Sequence, residues 1–119
     1  MGKVVMGKYG KIIISKEVIA KLAGIAATEC FGIVGMVSSH IFSDGIAEIL
    51  GKEALSKGVD VIIKENSVRI KVNIVVGYGI SISVIARNVM DHVKYTVEKY
   101  VGTAVDYVDV NIQGVRVVD

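Results

Sequence analysis

Tryptophan and proline are absent from this chain, and cysteine occurs once. Without proline anywhere in 119 residues there is no proline-rich linker, and no Ser/Gly tract takes its place. Nothing therefore divides residues 1–119 into two domains. The single cysteine, Cys30, excludes an intramolecular disulfide and leaves a thiolate metal site without a second sulfur. Histidine is almost as scarce, with only His40 and His92. Neither sign of charge dominates: the net charge of +2 is too small to argue for nucleic acid or an anionic surface as partner. Long apolar runs are missing as well. No window approaches the ~18 residues that a membrane span requires. The N-terminal M-G-K-V-V-M-G-K-Y-G-K is too short in its apolar part for a secretory signal, and Met6 stands where a myristoylation signal needs Ser or Thr. These absences predict a cytoplasmic protein with no span of its own.

What is present is aliphatic. Hydrophobic residues make up 52% of the chain and mean hydropathy is +0.57, much of it from Val and Ile. A chain of this length suits one domain with a substantial core. The most regular stretch is V-D-V-I-I-K from Val59, then E-N-S, then V-R-I-K-V-N-I-V-V from Val68. Val59, Val61 and Ile63 share one face of the first run, as do Val68, Ile70, Val72, Ile74 and Val76 of the second. Asp60, Lys64, Arg69, Lys71 and Asn73 take the other face. A period of two in β-branched residues marks strands with one face buried and one wet, and the polar break makes them a hairpin. Its register is open. A turn at Asn66-Ser67 sets Lys64 against Arg69, whereas a turn at Glu65-Asn66 pairs Asp60 with Lys71 but strains Glu65.

Ile12, Ile13 and Ile14 form a continuous run, as in a strand deep inside a sheet. Ser15 then caps a helix whose stripe holds Val18, Ile19, Leu22, Ala23, Ile25, Ala26 and Cys30. A second helix follows Ser81 or Ser83, carries Ile85, Val89, Val93 and Val97 at i, i+4, and stops at Gly102. The final run, V-D-Y-V-D-V-N-I-Q-G-V-R-V-V, alternates again, with a bulge or bend at Gly114. Residues 31–58 are punctuated by glycine and read as an irregular segment, with a short helix capped by Ser43 or Asp44. The order βαββαβ predicts an α+β, two-layer, ferredoxin-like sandwich: a mainly antiparallel sheet with two helices on one face. Val59–Lys64 and the C-terminal run are its outer strands.

Reactive constellations are thin. His92 lies beside Asp91 and Lys94 on a helix, which is a solvated position. His40 has Asp44 four residues on but lacks further ligands for a metal. Cys30 sits on an apolar stripe with no base nearby in sequence, and reads as a small buried hydrophobe rather than a nucleophile. Asp44 and Glu48 read as a solvated helix face. No catalytic residue, cofactor site or metal site is expected. Gly32-Ile-Val-Gly35 matches the spacing of a KH loop, which makes a small RNA-binding module with Arg69 and Lys71 the alternative function. However, the pair between those glycines is apolar, where a phosphate-gripping loop wants basic residues.

Six segments in order resemble the alkaline-shock-protein family of Gram-positive bacteria, also described as envelope stress response proteins. They are G-K-I-I-I-S-K-E-V-I-A-K-L-A-G-I-A-A-T-E from Gly10, F-G-I-V-G from Phe31, D-G-I-A-E-I-L-G from Asp44, L-S-K-G-V from Leu55, V-V-G-Y-G-I-S-I-S-V-I-A-R-N-V from Val75 and V-D-V-N-I-Q-G-V from Val108. The resemblance implies a non-enzymatic, cytoplasmic protein near the membrane that acts in envelope homeostasis through self-association and a membrane-anchored protein partner. It carries no catalytic residue to transfer. The residues themselves add surplus aliphatic side chains, open sheet edges and few edge-blocking charges beyond Lys64 and Arg116, which favour oligomers. The candidate interaction surface is Phe31, Ile33, Val34, Ile41, Phe42, Ile62 and Val75, the last two as aliphatic residues on the polar sheet face.

Overall fold

A computed structural model of the protein describes residues 2–39 and 49–117. In chain order the elements are β1 (Gly2–Met6), β2 (Lys11–Ser15), α1 (Lys16–Thr28), β3 (Ile33–Met36), a 3-10 helix (Lys52–Gly58), β4 (Val59–Ile63), β5 (Ser67–Gly77), α2 (Ile82–Val101) and β6 (Ala104–Arg116).

The alternating runs form the predicted hairpin. β4 pairs antiparallel with β5, placing Asp60 opposite Lys71 and Ile63 opposite Val68, so the turn is at Glu65-Asn66. The Lys64 amide closes it by donating to the Ser67 carbonyl at 2.9 Å. Only glycines adopt positive φ among the described residues, so the strain expected at Glu65 does not arise.

β5 is the axis of the sheet. β6 runs parallel to it along its whole length, from Ser67 opposite Ala104 to Gly77 opposite Arg116, with α2 as the crossover. The other edge of β5 is shared end to end: β4 lies along Val68–Val72 and β3 along Ile74–Val76. β4 and β6 are thus the outer strands of this sheet, as predicted.

Both helices cover the same face. Ile19, Ala23, Ala26 and Ala27 of α1 and Ile85, Val89, Val93 and Val97 of α2 join Ile70, Val72, Ile74 and Val76 in one core. The Ser15 hydroxyl accepts from the Val18 amide at 3.2 Å, as an N-cap does, and α2 ends at Gly102. Small side chains on α1 permit close approach: a β-carbon on Gly24 would sit 3.0 Å from Leu55 Cβ of the 3-10 helix.

The first strand departs from the ferredoxin-like expectation. Ile12–Ile14 does not enter the main sheet; it pairs with β1 in a separate two-stranded hairpin, Val4 opposite Ile13 and Val5 opposite Ile12. Both edges of β5 are already occupied, so no central slot is left for it. Far from being enclosed, Ile13 is 70% exposed and Ile12 54%. The segment expected to be irregular also holds regular structure, namely β3 and the 3-10 helix. Its chain folds back so that Val37 bridges Ile49 and the Leu50 amide reaches the Met36 carbonyl at 2.8 Å. The short helix predicted from Ser43 or Asp44 lies outside the described residues.

Candidate interaction surfaces

The β1–β2 hairpin projects from one end of the molecule, whose principal extents are 52 × 29 × 20 Å. Its root is fixed by Lys3, a residue only 6% exposed, whose ammonium donates to the Lys64 carbonyl at 3.1 Å and the Glu65 carbonyl at 2.6 Å. Ile14 packs against the core beside it. Beyond that root the arm presents Val4, Met6, Tyr9, Ile12 and Ile13 to solvent. A two-stranded ribbon is marginal by itself in water, and here it carries apolar side chains that the rest of the fold leaves uncovered.

A second apolar cluster forms at the opposite end of β5. The Gly77 amide donates to the Gly32 carbonyl at 2.9 Å and the Tyr78 amide to the Arg116 carbonyl at 2.8 Å. Those bonds bring Phe31, Tyr78, Val115 and Val117 to one end of the sheet, all four well exposed. Of the residues in the expected interaction surface, Phe31 is 80% exposed, and Ile33 and Val34 beside it are half-buried. Ile41 and Phe42 lie outside the described residues.

The polar sheet face is different from its prediction in two places. Ile62 is 56% exposed, as expected, but Val75 is 4% exposed and cannot serve as a contact residue. It stands between two glycines across the strands, Gly35 of β3 and Gly114 of β6, and Ile49 lies over Gly35: a β-carbon there would be 2.5 Å from Ile49 Cγ2. Asn73, expected to be wet, is 1% exposed. Its Nδ2 donates to the Gly58 carbonyl at 3.1 Å, and its Oδ1 accepts from Asn111 Nδ2 at 2.9 Å and Gln113 Nε2 at 3.3 Å. No local pattern signals either burial, because the covering groups are distant in sequence.

Two cations on this face are paired: Arg69 bonds Asp109 at 3.0 Å and lies over the Tyr107 ring, and Lys64 bonds Asp106 at 3.1 Å. Lys71 stands opposite Asp60 on one neighbouring strand and Asp109 on the other. Acidic side chains interleaved with these cations break up the basic stripe that a phosphate backbone needs. Nor do Gly32 and Gly35 form one loop: Gly35 is inside β3, opposite Val75. The geometry does not favour the RNA-binding alternative.

The reactive residues are dispersed. The Cys30 thiol donates to the Ala26 carbonyl at 3.6 Å, and burial, then the Glu29 charge, push its pKa above the usual thiol value. A raised pKa disfavours the thiolate a nucleophile needs. His92 Nε2 is 3.0 Å from Glu29 Oε1, the imidazole half-buried and the carboxylate exposed. His40, Asp44 and Glu48 lie outside the described residues. Among the described residues no three His, Cys, Asp or Glu side chains gather as a metal site. A shallow groove of about 320 Å³ between α1 and β4 has Ala20, Val59 and Val61 as its floor and Lys16, Glu17, Lys57 and Asp60 on its rim. No hydrogen bond or ion pair joins those rim groups among the described residues. No helix among the described residues is long and apolar enough to cross a membrane.

The fold is thus a mixed α+β sandwich whose apolar surplus reaches the surface at the β1–β2 arm and at the Phe31–Tyr78 end. The chain belongs to the alkaline shock protein 23 family, described as having a cell envelope-related function, whose sequence profile matches residues 5–117. It is 52% identical over 110 residues to the uncharacterized protein YloU of Bacillus subtilis strain 168, covering 92% of each chain. It is 38% identical over 111 residues to the uncharacterized protein Spy1614 of Streptococcus pyogenes serotype M6, covering 93% of this chain and 92% of the relative. A second Bacillus subtilis protein, the uncharacterized YqhY, is 33% identical over 107 residues, covering 90% of this chain and 78% of the relative. No solved structure matches the chain.

Proposed function

We propose that the protein is a non-enzymatic scaffold or adaptor in envelope homeostasis, acting by self-association and by docking on a membrane-anchored protein. The observation that carries this reading is the placement of its exposed apolar side chains. Half of the large apolar side chains exposed among the described residues stand on the β1–β2 arm (Val4, Met6, Tyr9, Ile12 and Ile13) and at the Phe31–Tyr78 end (Phe31, Tyr78, Val115 and Val117), and none of these lines the groove beside α1. Surface of that kind contributes to stability only when another protein covers it. The family's envelope-related description supplies the setting.

The test is partition between the soluble and membrane fractions of the native host. The protein is expected to sediment with washed membranes, to be released when exposed membrane proteins are first digested with protease, and to stay soluble as the arm variant Val4→Ser/Ile13→Ser. Far-ultraviolet circular dichroism checks that the variant folds. A protein that stays wholly soluble in the presence of native membranes and sediments as a monomer at every concentration overturns the proposal.

A further inference from the structure

We propose that two copies of this chain pair through the outer edge of β6, antiparallel about a two-fold axis at Val110, to give one continuous sheet six strands wide. The inference rests on the reading of the protein as a self-associating scaffold and names the surface involved.

Among the described residues β6 is the longest strand, with 13 residues, and pairs on one side only. Its beginning is closed within the chain: the Val105 amide donates to Glu98 Oε2 at 3.0 Å, and its carbonyl accepts from Lys94 Nζ at 2.9 Å. Beyond that plug, Tyr107–Gly114 carries neither proline, lysine nor arginine, the residues that commonly guard an edge. The side chain of Asp109 turns inward to Arg69, and that of Asp106 to Lys64 and Ser67. Towards the helices, Val110 and Ile112 pack against the core yet remain only partly buried. A bare edge beside half-covered aliphatic side chains is a template for another strand.

The sequence of this edge is self-complementary in one register. With Val110 opposite the partner's Val110, Val108 meets the partner's Ile112 on the helix-facing side. On the polar side, Asp109 meets the partner's Asn111 and Tyr107 the partner's Gln113. Sliding the pair by one residue per strand to centre on Asp109 sets two carboxylates against each other, which is destabilising. The favoured register also places Arg116 opposite the partner's Ala104, diagonal to the partner's Asp106 and within the reach of a long side chain. Arg116 makes no ion pair within its own chain among the described residues. Two-fold symmetry supplies this charge contact at both ends of the ladder.

Seven paired residues, 107–113, span about 23 Å at ~3.3 Å each. That strip is below the ~800 Å² per partner of a standard stable interface, so the dimer is expected to dissociate on dilution. A second copy fits this edge better than it fits β4, which has five residues and is flanked by the charged rim of the groove beside α1.

The experiment combines sedimentation equilibrium across a concentration series with cross-linking. Arg116→Glu is expected to raise the dissociation constant roughly tenfold, and Arg116→Glu/Asp106→Arg to restore it. In a Cys30→Ser background, Val110→Cys is expected to form disulfide dimers with oxidised glutathione, while Ile62→Cys, an exposed site on β4, forms few. Arg116 is solvent-exposed, so its variants test the interface without disturbing the core. A monomer at all concentrations, or a dimer indifferent to Arg116→Glu and uncrosslinked through Val110→Cys, overturns the β6 pairing. If protein-dependent membrane partition persists in that case, the scaffold reading stands and only this interface falls.

Discussion

The ammonium group of Lys3 lies 2.6 Å from the carbonyl oxygen of Glu65, across 62 residues of chain. The same nitrogen holds the Lys64 carbonyl, so one buried lysine ties the arm's root to the β4–β5 turn. Hydrogen bonds from a charged donor are worth roughly 1.5–3 kcal/mol, and the lysine stem packs as well. Lys3→Met keeps the stem and removes the donor. It is expected to speed amide exchange in 2–6 and 11–15 about tenfold or more while amides of α2 change little, measured by hydrogen–deuterium exchange.

Asn73 joins four parts of the chain. Its side chain holds Gly58, Asn111 and Gln113, and its backbone carbonyl accepts from the Val37 amide at 3.2 Å. Asn73→Ala leaves three polar groups without their partner in a buried place, each costing roughly 1–3 kcal/mol where water does not replace it. A loss of about 2–4 kcal/mol in denaturant unfolding is expected. Asn73→Asp also loses stability, since a carboxylate oxygen then faces the Gly58 carbonyl. Ile62→Ala, at an exposed site on β4, changes stability by less than about 0.5 kcal/mol.

Local signals were readable where the neighbours are close in sequence. The two-residue alternation of β4 and β5 reported which side chains enter the core, and Val89, Val93 and Val97 with Gly102 located α2. Ser15 and Val18 sit three residues apart, and the hydroxyl-to-amide bond between them is a local matter. Partners distant in sequence were not readable. A run such as Ile12–Ile14 has the same local conformation whether it is enclosed in a sheet or carried on an arm, and only occupation of both edges of β5 decides between them. Asn73 and Val75 follow the open-face pattern locally, yet are covered by groups from β3, β6 and the chain around Gly58. That Tyr78 and Val117 come to the same end as Phe31 was not readable, since it follows from the backbone bonds of Gly77 to Gly32 and of Tyr78 to Arg116.

Gly32 is a position where a side chain would meet two costs at once. Its φ is +90°, which side-chain-bearing residues rarely adopt, and a β-carbon there would lie 2.7 Å from Ile85 Cδ1 in the core. Gly51 has negative φ and open space around it. Gly32→Ala is therefore expected to lower stability by about 2 kcal/mol or more, while Gly51→Ala is neutral or stabilises by up to about 1 kcal/mol through the unfolded chain. Thermal melts of the two variants against the parent check the contrast.

Asp106 supplies a pH dependence whose origin can be traced to one bond. Its Oδ2 accepts from the Ser67 hydroxyl at 2.7 Å and from Lys64 Nζ at 3.1 Å. The Ser67 hydrogen bond first, and Lys64 after it, hold the carboxyl below its ordinary value of 3.8. A carboxyl depressed in the folded state binds its proton more readily in the unfolded chain. Its contribution is complete above the unfolded value, near 3.8, and disappears as pH falls through the lower folded value. Melting temperatures measured from neutral pH down to strong acid should show the parent losing more than Asp106→Asn below that point, the two curves converging at the acid end. Ser67→Ala should flatten the acid limb more than Lys64→Ala does. Added salt should weaken the lysine's share and leave the hydroxyl's, because a short hydrogen bond is not screened as an exposed ion pair is. Equal flattening by both variants, abolished by salt, would show that the charge of Lys64 and not the Ser67 hydroxyl sets this carboxyl.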